Sequence, residues 1–138
     1  MVTLLDTHVL VWLMEGNERL AQKSREIIRT AAQTDNLYVS AITPWEIAML
    51  VSKGRLSFSL EICKWLGKAL EMPGIRMIPL SIEISVASTQ LPGDFHSDPA
   101  DRIIVATARH IGATLVTEDK LILTYSQANH LKAHRAGV

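Results

Sequence analysis

Cysteine is almost missing from this sequence, in which Cys63 is the single thiol. One cysteine cannot form an internal disulfide, so a secreted disulfide-stabilised scaffold is excluded. A reducing compartment is the default for such a chain. We therefore expect a cytoplasmic protein.

An excess of charge of one sign and a long apolar run are also lacking. The 14 Lys and Arg residues balance the 14 Asp and Glu residues, so there is no basic field to supply non-specific affinity for nucleic acid. No apolar stretch reaches the ~20 residues of a membrane helix. The apolar start of the chain contains Asp6 and His8 and has neither the basic region nor the cleavage site of a signal peptide. The sequence therefore predicts no membrane segment, and any nucleic acid must be bound locally.

What the chain does have is enough apolar sequence for one core: 138 residues, 48% of them hydrophobic. Short apolar runs alternate with longer stretches of helical period. The predicted strands are 2–6, 36–40, 75–80 and 113–117, with a weaker one near 128–133. The predicted helices lie within 7–14, 17–33, 43–53, 59–72, 81–89, 100–110 and 118–125.

The predicted strands lack polar alternation and are separated by helices. This pattern is typical of a parallel sheet covered on both faces. We therefore expect one α/β domain over residues 1–138, with ligands bound outside the carboxyl ends of the strands.

Acidic residues gather at the junctions where these strands pass into helices. Asp6 ends the first strand, and the others open the helices that follow; they are Glu46, Asp98, Asp101, Glu118 and Asp119. If the sheet is parallel, all of these junctions lie at one edge.

Helix capping is the alternative explanation for several of these acids. Thr43 and Glu46 have the spacing of a capping box, and Asp98 precedes Pro99 as an N-cap with Asp101 at the third helical position. Asp6 is harder to explain in this way, because burying an aspartate in an apolar run is costly unless it is paired, hydrogen-bonded or bound to metal.

Several carboxylates at one edge would repel one another unless a cation neutralised them. Ligand sets made only of oxygen favour Mg²⁺ or Mn²⁺ over zinc. Such an ion lowers the pKa of a bound water and offsets charge on a leaving oxygen, which suits hydrolysis of a phosphodiester.

Four motifs also resemble a known family: "LLDTHVLVW", "SAITPWEIAMLVSKGRLSF", "DPADRIIVATA" and "LVTEDKLI". In this order and at this length they are similar to the PIN-domain ribonucleases, in particular the VapC-type toxins of prokaryotic toxin–antitoxin pairs. The resemblance runs from residue 2 to about residue 125. It implies a three-layer α/β/α fold with a parallel sheet of four or five strands and a Mg²⁺- or Mn²⁺-dependent endoribonuclease. It also implies a homodimer and inhibition by a VapB-like antitoxin.

The resemblance assigns roles to particular acids. Asp6, Asp101 and Asp119 would be metal ligands, and Glu46 would orient or deprotonate the attacking water. The third acidic position fits either Asp98 or Asp101. We favour Asp101, because a side chain at the third helical position projects beyond the helix end whereas an N-cap oxygen is occupied by backbone N–H groups.

Other polar residues are candidates for contacts to ligands or phosphate, with local capping as the alternative for each hydroxyl. They are Thr7, Ser40 and Thr117, together with Arg102, for which we favour pairing with a neighbouring acid, and His96, which could meet RNA from its turn.

Two other functions stay open on the sequence alone. One is phosphoryl transfer with Asp6 as nucleophile, although "DTHV" lacks the second aspartate of the phosphatase pattern. The other is a protein-binding module whose acids only cap helices.

Overall fold

A computed structural model describes residues 1–137. Its five strands form one sheet in the order β3-β2-β1-β4-β5, and every neighbouring pair is parallel. The strands are β1 (Thr3–Leu5), β2 (Leu37–Ser40), β3 (Ile75–Ile78), β4 (Thr114–Thr117) and β5 (Lys132–Arg135). The predicted α/β fold with a central parallel sheet is confirmed, and the weak last strand is real but lies a few residues later than predicted.

Helices follow the strands and cover both faces of the sheet. They are α1 (Thr7–Glu15), α2 (Gln22–Gln33), α3 (Ile42–Ser52), α4 (Ile62–Leu70), α5 (Ile82–Thr89), α6 (Pro99–Ile111) and α7 (Lys120–Gln127). The second helix begins at Gln22 rather than at residue 17, because residues 17–21 form a turn and a short bridge to the end of the chain.

Alternate residues of the central strands enter opposite halves of the core. Leu5 and Val116 pack with α1 to α4, whereas Leu4 and Leu115 pack with α6 and α7. These four side chains are fully buried, and each contributes roughly 1.5–3 kcal/mol relative to an exposed position. A two-sided core of this kind holds the middle strands, and the residues at their ends, in fixed positions.

The predicted start of α3 is wrong. The helix begins at Ile42, one residue before the expected N-cap Thr43, and Ala41 precedes it in a helical conformation without a side-chain cap. The first helical amide, that of Ile42, is instead satisfied by the Oγ of Ser40 at 3.1 Å. The side chains of Thr43 and Glu46 are therefore released from capping.

Within residues 1–137, no helix combines the length and the apolar character that crossing a bilayer requires.

Candidate active site

The carboxyl ends of the central strands open into a cleft of about 390 Å³. Its floor lies where β1 and β4 end side by side. The cleft is lined by Asp6, His8, Trp12, Glu46, Met49, Leu50, Arg55, Asp98, Asp101, Glu118 and Asp119. All the acids that the sequence places at strand-to-helix junctions thus border one space, which we call the carboxylate cleft.

Asp6 forms the base of the carboxylate cleft and is only 7% exposed. It is the N-cap of α1, where its Oδ1 accepts the Thr7 backbone N–H at 2.8 Å. Its Oδ2 accepts the Thr117 hydroxyl at 2.6 Å. Burial raises the pKa of Asp6, and nearby Asp119 adds to that effect, while both hydrogen bonds oppose it. Two donors therefore hold a carboxylate that its surroundings would otherwise protonate.

Thr117 connects Asp6 to the next acid. Its hydroxyl oxygen accepts the Asp119 backbone N–H at 3.0 Å while its proton goes to Asp6. Asp119 in turn caps α7, with Oδ1 accepting the amides of Leu121 and Ile122 at 2.8 and 3.1 Å. One oxygen of Asp119 is thus engaged in capping, and these bonds leave its Oδ2 available for a ligand.

Glu46 joins the site through a chain of hydroxyls. The Thr7 hydroxyl donates to Glu46 Oε1 at 2.5 Å, and the Thr43 hydroxyl lies 3.1 Å from that of Thr7. Thr7 has one hydroxyl proton, so Thr43 is the donor in the second bond. The expected capping box is absent, and Glu46 is fixed by the residue that follows Asp6.

Burial raises the pKa of Glu46, the Thr7 hydrogen bond lowers it, and the charges of Asp6 and Asp98 raise it further. A carboxylate with a raised pKa is a stronger base than an exposed one, which is the property that a general base at neutral pH requires.

Asp98 caps α6, whereas the Asp101 side chain does not cap the helix. Asp98 is exposed and is the N-cap of α6, where its Oδ1 accepts the Asp101 backbone N–H at 3.0 Å. Asp101 is at the third helical position and its side chain is 17% exposed. Burial and the charges of the surrounding acids, with Asp6 the largest contributor among them, raise its pKa to about 8. This division is the one expected if Asp101 rather than Asp98 is the ligand, which stays a prediction.

His96 approaches Asp101 rather than facing solvent. Its Nε2 lies 3.2 Å from Asp101 Oδ2, and its Nδ1 accepts the Asp98 backbone N–H at 3.4 Å. The Nε2 atom is buried and makes no hydrogen bond of good geometry in the described chain, so the contact with Asp101 is one of distance only. The sequence predicts only a contact with RNA for His96 and does not indicate this contact with Asp101.

Arg102 does not pair with an acid of residues 1–137, which corrects the pairing favoured above. Its guanidinium donates to the backbone carbonyls of Ser88, Phe95 and His96 at 2.8–3.1 Å. Arg102 therefore connects α6 to the end of α5 and to the loop that precedes α6. Ser40, whose hydroxyl accepts the Ile42 amide, likewise has a local capping contact.

Sequence reasoning did not single out Arg55 and did not place Trp12 in the cleft. Gly54 has a left-handed conformation, with φ of +71°, just after α3, and the Arg55 amide then bonds back to Leu50. That turn places Arg55 beside the acids. The sequence signal for Arg55 was a glycine followed by a basic residue at the end of the helix that carries Glu46.

The donor set suits a hard divalent cation. Every acid named above offers oxygen, and Asp6 and Asp101 each have a raised pKa that a cation would lower. Among residues 1–137, no three acidic, histidine or cysteine side chains converge as a ready-made ligand cluster. Mg²⁺ does not need one, because it retains several waters and takes one or two carboxylates.

The sequence also matches known proteins. The sequence profile of the PIN domain matches residues 3–126. The chain is 33% identical over 122 residues to ribonuclease VapC22 of Mycobacterium tuberculosis, a match that covers 88% of this chain and 90% of the relative.

Solved structures share the fold at lower sequence identity. The VapBC2 complex of Rickettsia felis, bound to promoter DNA, aligns with a TM-score of 0.71 and 18% identity over 97% of this chain and 98% of its own. FitAcB of Neisseria gonorrhoeae aligns with a TM-score of 0.65 and 21% identity over 97% of both chains.

Proposed function

Because the chain belongs to the PIN-domain family, we propose that it is a divalent-metal-dependent endoribonuclease that acts as the toxin of a VapBC-type toxin–antitoxin pair. The reaction is hydrolysis of RNA phosphodiesters, with Mg²⁺ or Mn²⁺ as the ion. Metal dependence is general in this family, and the proposal adds these two ions and the residues that hold them.

One observation carries the proposal: carboxylates from four separate helix starts border a single cleft at the carboxyl edge of the sheet. Helix capping explains Asp98 and Asp119, but Asp101 caps nothing and Glu46 is held by the Thr7 hydroxyl instead of by a backbone amide. Acids that only capped helices would not need to be buried together, because burial disfavours their charged forms.

In this proposal Asp6, Asp101 and Asp119 hold the ion, directly or through water. When bound, the cation supplies a hydrolytic water of lowered pKa and offsets the charge that develops on the leaving oxygen. Glu46 orients the attacking water and accepts its proton at the carboxylate, and the Thr7 hydroxyl keeps Glu46 in place for that transfer. Thr117 orients Asp6 by donating to its Oδ2.

The remaining parts of the proposal concern assembly. We expect a homodimer in the cytoplasm that a VapB-like antitoxin inhibits, and we treat residues 1–138 as one domain, with Val138 outside the described residues. The matched relative is named as a VapC ribonuclease, and the single sheet and the continuous match over residues 3–126 support one folding unit.

The test is cleavage of single-stranded RNA by the purified chain with Mg²⁺, with Mn²⁺ and with EDTA. We expect cleavage with either ion, none with EDTA, and loss of activity in Asp6→Asn and Asp101→Asn. Asp94→Asn is the matched control, because Asp94 is exposed in the loop before α6 and does not line the carboxylate cleft. Full activity in both cleft variants, or in EDTA, would contradict the mechanism.

The two other functions are less well supported. A phosphoryl-accepting Asp6 lacks the second aspartate of the phosphatase pattern, because His8 stands at that position. A module whose acids only cap helices does not explain Glu46.

A further inference from the structure

A second groove adjoins the carboxylate cleft. It is lined by Trp12, Arg19, Glu118 and Gly137 and has a volume of about 450 Å³. Trp12 and Glu118 also line the carboxylate cleft, so the two depressions share a wall. We call this second depression the side groove.

The side groove differs from the carboxylate cleft in its charge. The acid of its lining, Glu118, accepts the Arg135 Nε–H at 3.1 Å and the Gly137 backbone N–H at 2.6 Å, one on each oxygen. Arg19, by contrast, has no carboxylate of residues 1–137 within ion-pair distance. Glu118 is therefore neutralised locally, while the exposed Arg19 guanidinium has no acidic partner among residues 1–137.

Arg19 and Trp12 form a layered pair, with the guanidinium over the indole ring. The Arg19 guanidinium lies 5.7 Å from the centre of the Trp12 ring, at a distance typical of a cation–π pair. The Trp12 ring is half-buried against the core, and the Arg19 backbone is tied to the Asn17 side chain at 2.9 Å. The Trp12 ring and the Arg19 backbone are thus held in place before any ligand binds.

Single-stranded RNA needs contacts beside the acids. The carboxylate cleft repels phosphates over most of its surface, so binding must come from cations and stacking groups at its margin. Guanidinium planes and aromatic rings are the two surfaces on which unpaired bases stack. The side groove offers both, next to the proposed point of cleavage.

We propose that the side groove is a substrate subsite for single-stranded RNA. One base stacks on the layered pair of Arg19 and Trp12, and a phosphate next to that base pairs with the Arg19 guanidinium. The inference rests on the proposed function, since it takes the ligand of the groove to be the strand that is cut.

The test combines equilibrium binding with kinetics on the full chain. Binding of a fluorescein-labelled single-stranded RNA oligonucleotide is measured in EDTA by fluorescence anisotropy. Quenching of Trp12 is followed separately in a Trp45→Phe background, because Trp45 is 56% exposed and Trp65 is only 5% exposed. KM and kcat for the same oligonucleotide are then measured with Mn²⁺.

Arg19→Gln should weaken binding roughly fivefold and reduce the slope of log K against log salt concentration by about 0.7, the value for one phosphate on a single strand. Trp12→Leu should remove the fluorescence quenching and weaken binding by about tenfold, within the range for loss of one stacked base. In the kinetic assay both changes should raise KM.

Arg29→Gln is the matched control, because Arg29 is an exposed arginine of α2 outside both depressions, and it should leave affinity and salt slope unchanged. Trp12 also packs against the core, so thermal unfolding is used to check that Trp12→Leu is folded. Arg19 is exposed, so Arg19→Gln tests the proposal even if Trp12→Leu does not fold.

Two outcomes separate this proposal from the proposed function. RNA cleavage with wild-type affinity, salt slope and KM in Arg19→Gln would overturn the subsite and leave the ribonuclease standing. Oligonucleotide binding that depends on Arg19 and Trp12, without metal-dependent cleavage, would overturn the ribonuclease and support the groove as a binding site.

Discussion

Replacing Asp101 by Asn should stabilise the metal-free protein, and the gain should grow with pH. The pKa of Asp101 is raised from 3.8 to about 8 in the folded protein by burial and by the acids around it. Between these two values the folded chain holds a proton that the unfolded chain has released, so wild-type stability falls as pH rises through this window. Asparagine has no such proton to lose.

The size of the effect follows from the shift. A difference of about four pK units corresponds to an upper limit of ~6 kcal/mol. The side chain retains 17% of its exposed area, and solvent screening in an open cleft reduces the limit to roughly a third, or about 2 kcal/mol at pH 8.5. At pH 5, nearer the lower end of the window, the same reasoning predicts a gain of about 0.5 kcal/mol in the free energy of unfolding.

Thermal and urea unfolding of both proteins in EDTA measure this difference. For a chain of this size, about 2 kcal/mol corresponds to a rise in Tm of roughly 6 °C at pH 8.5. Asp94→Asn, in the exposed loop before α6, controls for the loss of one negative charge. A gain in stability that is the same at pH 5 and pH 8.5, or equal in both variants, would refute the reasoning.

Three further predictions concern the neighbours of the acids and the core. Thr117→Val removes the hydroxyl that donates to Asp6, and should destabilise the protein by about 1–3 kcal/mol and weaken Mn²⁺ binding in calorimetry. His96→Phe removes the nitrogen 3.2 Å from Asp101 and should weaken Mn²⁺ binding by about tenfold. Ile104→Ala, at a fully buried position, should cost about 2–5 kcal/mol in urea unfolding.

Each of these predictions has a control or a contradicting result. Thr114→Val changes the same residue type at the start of β4, away from the cleft, and should leave Mn²⁺ binding unchanged. His110→Phe does the same for an exposed histidine at the far end of α6. Unchanged Mn²⁺ affinity in His96→Phe would show that His96 does not orient Asp101, and a loss below 1 kcal/mol in Ile104→Ala would show that the core relaxes around the gap.

Much of the fold could be predicted because the signals were local. Continuous apolar runs mark the strands β1, β2 and β4, and Asp98 with Pro99 marks the start of α6. The last strand, Lys132–Arg135, has little apolar character because it lies at the sheet edge with intermediate or exposed side chains, and so its position was only approximate.

The acids could be predicted as a group, but their partners could not. Thr43 and Glu46 satisfy a local capping pattern in sequence, yet in three dimensions both turn toward Thr7, 36 and 39 residues earlier in the chain. Competition between a local and a distant hydrogen bond depends on how β1 and β2 are placed side by side. Local spacing does not contain that information.

The bond between Thr117 and Asp6 spans 111 residues, and this separation bears on how the chain acquires activity during its own synthesis. β1 can align with β2 once residue 40 has emerged from the ribosome, but its other neighbour, β4, follows only at Thr114–Thr117. Until then Asp6 has only the Thr7 backbone N–H as a donor, and Asp119 has not been added. A nascent chain that stops before β4 therefore has neither the second donor to Asp6 nor a complete carboxylate cleft.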